Sequence, residues 1–304
     1  MKKMKTVTIG ISAHNEEKNI GNLLDGIMEQ ERSYFVLKSV VIACDGCSDN
    51  TANIVNLFIE KYRHVSMIND GKRIGKAKRL NVFYKQNISD IFISLDADVV
   101  LANKNVINEI VKKFDNTNVG LVGGSSLPFP PKNFFEKIIY TWLLIWIDMK
   151  NNVGEDLSVH NHLGCISAVS KKLAQKITIP NNIIPDDDFV FFTAIKHGFH
   201  FSFAKKATVY YRTVDNLKDF LIQHNRLINS KKYVFDFFGE WTKSYYVIPR
   251  TNKIASILRF LIHEPLFTLL ALALQILLRK GKFMPEEKYE NGFWTVASSS
   301  KELS

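Results

Sequence analysis

Cysteine is scarce, with three in 304 residues. That is too few for a disulfide framework, and it points to a reducing compartment. A secretory leader is not expected either. Met1-Lys2-Lys3-Met4-Lys5 is basic, but the apolar run from Thr6 to Ala13 is short and gives way at once to His14-Asn15-Glu16-Glu17, so the working part of the chain is expected in the cytoplasm. No stretch rich in both arginine and aromatic residues offers a base-stacking surface, and nucleic acid is not an expected partner.

Two nucleotide signatures are missing as well. Gly71-Lys72-Arg73-Ile74-Gly75-Lys76 has three residues between its glycines rather than four, with Ala77 where a P-loop needs Ser or Thr, and the first turn carries no Gly-x-Gly-x-x-Gly. A P-loop nucleotidase and a nicotinamide enzyme are therefore not supported. There is no second closely spaced cysteine pair to accompany Cys44-Asp45-Gly46-Cys47. That tetrapeptide reads as a turn, in preference to a redox pair or half a zinc site completed by Cys165, His160 or His162.

What the chain does have is length, basic charge and rhythm. It can bury a large core, and one α/β domain with an appendage fits it best. Lys and Arg outnumber Asp and Glu by 40 to 30 and are spread along the whole chain. That balance favours anionic partners, a membrane surface or a sugar nucleotide. Apolar residues crowd into two stretches, 134–147 and 254–278.

From the N-terminus, strands alternate with helices. Val7 to Ser12 reads as a strand and Ile20, Leu23, Leu24 and Ile27 as a helix face; Ser39 to Cys44 is a strand, with Ile54, Val55, Phe58 and Ile59 on the helix after it. Val65 to Ile68 is a third strand, Gly75 opens a helix, and the run from Ser89 to Asp98 is a buried strand ending in two carboxylates. Further on, a helix is expected over 104–114, strands over 119–124, 163–170 and 207–211, and helices from Phe134 to Lys150 and from Pro185 to His197. Strands alternating with helices imply a mostly parallel, doubly wound sheet, whose ligands bind beyond the carboxyl ends of its strands. Acids stand at those ends: Glu16, Asp45, and the pair Asp96 and Asp98, whose hard oxygens suit Mg²⁺ or Mn²⁺. Asp186-Asp187-Asp188 opens a helix; three in a row exceed what capping needs, so at least one is expected to face a ligand.

Taken together these motifs, over most of 6–235, resemble the family 2 glycosyltransferases, inverting enzymes of the Rossmann-like type A fold. Ser12-Ala13-His14-Asn15-Glu16-Glu17 resembles that family's opening turn, and Cys44-Asp45-Gly46-Cys47-Ser48-Asp49-Asn50-Thr51 its Asp-Asp-Gly-Ser-Ser-Asp-x-Thr. The resemblance implies that Asn15, Glu16, Asp45, Lys76 and Asp96 bind the nucleotide sugar, Asp45 against the base, and that Asp98, with Asp96, holds the metal. In the polysaccharide-synthase branch the catalytic Asp stands eleven residues before a glycine. Asp187 has that distance to Gly198, with Asp186 beside it, and Gln223-His224-Asn225-Arg226-Leu227 is similar to Gln-x-x-Arg-Trp, with Leu227 in the Trp position. The implied reaction is metal-dependent transfer from a nucleotide-diphosphate sugar, UDP-linked by expectation, to a hydroxyl of a lipid-linked or cell-surface glycan. Asp187 would be the base and Arg226 a charge near the pyrophosphate. Two alternatives are an inactive membrane-associated nucleotide-sugar-binding scaffold and a polyprenyl-phosphate sugar synthase.

The expected division is a catalytic domain over 1–240 and a membrane-associating helical segment with its tail over 241–304. About fifteen apolar residues of 254–278 favour insertion by about −5 to −9 kcal/mol, while Arg259 and Glu264 near mid-depth oppose it by about +5 to +7. Arg250 and Lys253 precede the segment and Arg279, Lys280 and Lys282 follow it, so a span would leave one basic cluster on the wrong side. The expectation is a helix broken at Pro265 and lying in the cytoplasmic leaflet, peripheral or monotopic, with the Trp142/Trp146 helix beside it as a doorway for a lipid-linked acceptor. The competing use of Leu266 to Leu278 is packing against the catalytic domain or in a homo-oligomer.

Overall fold

The computed structural model describes residues 4–151, 153–154, 158–181 and 185–280. Within these, the expected α/β order holds. Strand β1 (Lys5–Ala13) is buried at most positions because it lies inside the sheet with helices on both faces. It leads to α1 (Ile20–Met28), whose stripe of Ile20, Leu23, Leu24 and Ile27 is buried. Next come β2 (Phe35–Cys44), α2 (Thr51–Lys61), β3 (Val65–Ile68), α3 (Lys76–Gln86) and β4 (Ile91–Asp96). These four strands pair in parallel in the order β3-β2-β1-β4. Their carboxyl ends therefore emerge along one edge, and the turns after β1, β2 and β4 meet there.

The other half is mixed. It contains β5 (Val99–Leu101), α4 (Val106–Lys113), β6 (Val119–Pro128), α5 (Phe134–Asn151), β7 (Ile166–Ser170), α6 (Lys171–Ala174), α7 (Asp186–Lys196) and β8 (His200–Tyr211). Among the described residues, β7 lies between β4 and β6, antiparallel to both, while β8 runs parallel to β6 and carries β5 antiparallel on its outer edge. The long excursion through α5 lets the chain re-enter the sheet from the carboxyl edge. Several strands differ from expectation: β2 begins four residues early, β6 runs four residues longer and β5 is additional, and two further differences have a clear cause. β7 starts at Ile166, because Leu163-Gly164-Cys165 crosses the site as a loop. β8 starts at His200, seven residues early: the register shifts where Gly124 pairs with Ala204 and Ser125 with Thr208, and the exposed Lys205 and Lys206 in that shift interrupt the alternation a sequence reading relies on.

One face of the sheet packs Ile20, Leu24, Val55, Ile107 and Val111 from α1, α2 and α4. The other packs Leu80, Phe83, Phe189, Phe191 and Phe192 from α3 and α7. Glu136, fully buried near the start of α5, accepts hydrogen bonds from Arg212 (3.1 Å) and Thr213 (3.1 Å), which ties that helix to the end of β8.

After β8 come α8 (Leu217–Phe238), a tight helical turn over Glu240–Tyr246, α9 (Arg250–His263) and α10 (Pro265–Lys280). The break falls at Pro265, as expected. Proline lacks an N–H, and it forces Glu264 before it out of the helical region, to φ −140°. Both helices pack on α5, Ile257 and Phe260 against Ile145 and Met149, Leu274 and Leu278 against Ile139, with Phe220 of α8 in the same cluster. Arg259 and Glu264 are not isolated charges. Arg259 bonds Asp148 on α5 (2.5 and 2.7 Å), and Glu264 accepts from Lys137 (2.7 Å) and Thr141 (3.2 Å). No helix of the described residues is long and apolar enough to cross a membrane. Residues 1–3, the tail 281–304 with Lys282, and the side chains of Arg279 and Lys280 lie outside the described residues.

Candidate active site

The turns after β1 and β2 are laced together. Asn15 adopts φ 55°, a left-handed conformation that asparagine tolerates, and its Oδ1 accepts the Ser48 N–H at 2.8 Å. The Glu16 N–H donates to Thr51 Oγ1 (2.8 Å), the Glu17 N–H to Asp49 Oδ2 (3.0 Å), and the Asn50 N–H returns to Glu17 Oε2 (2.9 Å). The buried Glu16 carboxylate accepts from Asn19 (2.8 Å). These are the residues that made both turns readable as motifs; their short polar side chains replace backbone hydrogen bonds that a strand-to-helix turn leaves open.

Asp45 is 4% exposed, and protein donors hold both its carboxylate oxygens. Oδ1 accepts from the Ile74 N–H (2.8 Å) and Arg79 Nε (2.9 Å), and Oδ2 from the Gly75 N–H (2.9 Å). Arg79 also grips Asp70 with both terminal nitrogens (3.0 and 2.8 Å) and donates to the Lys72 carbonyl (2.6 Å). What Asp45 holds in this structure is the 70–75 loop. Gly46, at φ 65°, allows the approach, since a Cβ there would sit 2.8 Å from that of Arg73.

That loop delivers Lys76 as the first residue of α3. Its Nζ donates to Asp96 Oδ1 at 2.6 Å and lies 3.4 Å from Asp186 Oδ2 and from the Gly164 carbonyl. The ammonium is thus shared between the end of β4 and the start of α7, and its attraction to Asp186 and Asp96 holds its pKa well above the ordinary value despite burial. Gly164 closes over it: a Cβ there would lie 3.0 Å from the Lys76 Nζ, which would have to shift.

Asp98 stands two residues beyond Asp96. Burial, with Asp96 and Glu16 as like-charged neighbours, pushes its carboxyl up to about 7. Lys76 offsets the Asp96 charge from one side, and a divalent cation beside Asp98 would offset the like charges that raise it. Among the described residues no group of three or more His, Cys, Asp or Glu side chains could by itself hold a metal. Two carboxylates leaving the remaining positions to water and a diphosphate fit Mg²⁺ or Mn²⁺.

The three acids that open α7 are set apart by their partners. Asp186 faces Lys76. Asp188 Oδ2 accepts from the Tyr246 hydroxyl at 2.6 Å, and burial beside Asp187 pushes the Asp188 carboxyl up to about 8. Asp187 Oδ1 takes the Asp188 N–H (2.9 Å); burial and Asp186 push this carboxyl up to about 6, while the Lys76 and Arg226 charges oppose the rise. Beneath them His162 donates from Nδ1 to the Asp187 carbonyl (3.0 Å), so its Nε2 accepts from the Ser167 hydroxyl (2.7 Å), and burial lowers its pKa to about 4. A neutral, fully engaged histidine is a support, not a metal ligand. His160 is likewise occupied, Nε2 donating to the Tyr246 carbonyl (3.1 Å), and Cys47 donates to the Ala13 carbonyl (3.3 Å).

Asn15, Glu16, Asp45, Lys76, Asp96, Asp98, Asp186 and Asp187 thus gather along one sheet edge, with Arg226 approaching from α8 and Leu227 next to it 60% exposed. Sequence reasoning missed Arg79 and Tyr246. Arg79 left a signal, a charged residue among Leu80, Phe83 and Tyr84 on the buried face of α3. Tyr246 left none, since it meets Asp188 across 58 residues.

The family model described as "Glycosyl transferase family 2" matches residues 8–178, more than half of the chain. The 4,4'-diaponeurosporenoate glycosyltransferase of Staphylococcus aureus (strain USA300) is 30% identical over 110 residues, 36% of this chain and 28% of that relative, so the matched stretch spans little more than a quarter of the relative's length. Among solved structures, mannosyltransferase PcManGT from Pyrobaculum calidifontis, in complex with GDP-Man and Mn²⁺, superposes with a TM-score of 0.62 at 19% identity, covering 92% of this chain and 82% of that one. TarS from S. aureus in complex with UDP-GlcNAc gives 0.53 at 19% identity, covering 70% and 60%. At such identity these likenesses establish the type A fold.

Proposed function

The chain belongs to glycosyl transferase family 2, and on that premise we propose that it transfers a sugar with inversion from a nucleoside-diphosphate sugar, UDP-linked, to a hydroxyl of a lipid-linked or cell-surface glycan. The observation that carries this reading is the division of labour among the acids of α7. Lys76 engages Asp186 and Tyr246 engages Asp188, while Asp187 has only the neighbouring backbone N–H on its carboxylate among the described contacts. Asp187 is therefore the one available to take a proton. A general base must sit within hydrogen-bond reach of the hydroxyl it activates and titrate near the working pH, and burial has moved Asp187 in that direction.

In the reaction the acceptor oxygen attacks the anomeric carbon from the side opposite the diphosphate. A C–O bond forms as the C–O bond to phosphate breaks, and the hydroxyl proton passes to an Asp187 oxygen. Asp96 and Asp98 would hold Mg²⁺ or Mn²⁺, which when bound supplies charge neutralisation for the departing diphosphate. Lys76 adds a fixed positive charge between the donor side and the acid side, and Arg226 a second from α8. The Asn15 and Asp45 turns shape the edge where the nucleotide lies. A phosphate acceptor would need no hydroxyl base, so the Asp187 geometry favours a hydroxyl over a polyprenyl phosphate.

The test is incubation of the purified chain with UDP-sugars and GDP-sugars, with and without Mn²⁺, reading nucleoside diphosphate release as extracted lipid or glycan acceptors are added. Release that depends on donor, acceptor and an ionised residue at position 187 is expected. No turnover with any donor, or full turnover by Asp187→Asn, overturns the reading.

A further inference from the structure

α9 and α10 are apolar on two sides. One side is buried against α5, as described above. On the other, Ile254, Leu258 and Ile262 recur every four residues along α9, and Leu266, Leu269 and Ile276 continue at helical spacing along α10, all of them exposed. Ile262, the most open, is 78% exposed. A helix that is apolar around most of its circumference belongs in a buried setting, yet these faces are open in the single chain.

The charges around the stripes indicate what covers them. The acids of α5 and of the α9–α10 break are already paired: Asp148 with Arg259, Glu264 with Lys137 and Glu136 with Arg212. Arg250 and Lys253, at the start of α9, are exposed. Residues 247–280 contain five Lys or Arg against one acid. A second copy docked here by a two-fold axis would set the same basic groups near one another, whereas anionic headgroups would neutralise them while acyl chains take up the apolar stripes.

We infer that α9 and α10 form an in-plane docking surface for an anionic lipid bilayer, lying on it without crossing. The surface starts beside the acids of α7. Val247, 63% exposed, directly follows Tyr246, whose hydroxyl holds Asp188. A lipid-linked hydroxyl drawn from such a bilayer would reach the proposed base along the short stretch of chain from Arg250 back to Tyr246. That use rests on the proposed transferase reaction; the docking does not.

The experiment is co-sedimentation of the full chain with vesicles of phosphatidylcholine alone or of phosphatidylcholine and phosphatidylglycerol in equal parts, at low and high salt. The chain is expected to bind the anionic vesicles more tightly, and less so as salt rises. Replacing Arg250→Gln with Lys253→Gln is expected to weaken anionic-vesicle binding roughly 30-fold and leave phosphatidylcholine binding unchanged. Ile262→Glu with Leu269→Glu is expected to weaken binding to both by roughly 100-fold. Both pairs are exposed, so the fold should persist, which circular dichroism verifies; Ile88→Glu, at an 81% exposed residue between α3 and β4, should bind as wild type. Absence of binding to either vesicle, or equal binding by all variants, overturns the inference. So does a concentration-dependent dimer that Ile262→Glu with Leu269→Glu dissolves while vesicles go unbound. Because the readout is binding, loss of this inference and loss of the transferase reading are separately visible.

Discussion

Replacing Arg79 with methionine tests whether the donor-side loop is held by one buried charge. The Arg79 side chain is 2% exposed and that of Asp45 5%, so the Nε to Oδ1 bond of 2.9 Å is shielded from water and barely screened by salt. Methionine keeps most of the volume but removes every donor. Asp45 then keeps only the Ile74 and Gly75 N–H groups among its described hydrogen-bond donors, and the Lys72 carbonyl loses its 2.6 Å partner. Removing one member of a buried ion pair costs about 3 to 5 kcal/mol, because the other is left buried and uncompensated. Against a typical total of about 5 to 15 kcal/mol that is a large fraction. Urea unfolding followed by circular dichroism gives the number for Arg79→Met, for Asp45→Asn and for the two together. If the pair is coupled as its geometry implies, the double variant is more stable than the sum of the single losses by at least about 1 kcal/mol. Asp70→Asn, which removes the 43% exposed partner, should cost far less. Additive losses, or an Arg79→Met loss under about 1 kcal/mol, would show that Arg79 does not anchor the loop through Asp45.

Asp187 should impose an acid limb on the rate. A base works only when ionised, and burial has moved this carboxyl up to about 6, so kcat should fall about tenfold per pH unit below that value, and Asp187→Asn should lower the rate by about 10² to 10⁴; a limb near pH 4 would point to an unperturbed carboxylate instead. His162 makes an opposite demand on stability. Its folded pKa of about 4 lies below the ordinary 6.5, so the unfolded chain binds more protons between these values, and its contribution of about 3 kcal/mol is present above pH 6.5 and lost as pH falls through 4. The Tm gap between wild type and His162→Gln should therefore narrow from pH 7 towards 4.5, and a constant gap contradicts the assignment. If Cys44 and Cys47 are turn residues, Cys44→Ser with Cys47→Ser retains activity and the wild type carries no stoichiometric zinc; elemental analysis finding zinc that the variant loses would reverse this.

The sequence by itself determined the βα units from β1 to β4 and the acids that follow their strands. Parallel strands covered on both faces read as continuous apolar runs, and the turns that join them are short and chemically marked, so Asn15, Glu16, Asp45 and Asp96 could be placed from neighbours a few positions away. It also determined the helix break, because proline's missing N–H acts locally at Glu264-Pro265. Only the tertiary structure decided the direction of β7, which follows from where α5 returns the chain. It alone separated three adjacent acids by giving Asp186 to Lys76 and Asp188 to Tyr246. It alone turned Arg259 and Glu264 from charges that would oppose burial into partners of Asp148 and Lys137 on α5. Each of these depends on groups distant in sequence brought within hydrogen-bond range, and hydrophobic periodicity records which face of an element is buried but not which side chain it is buried against.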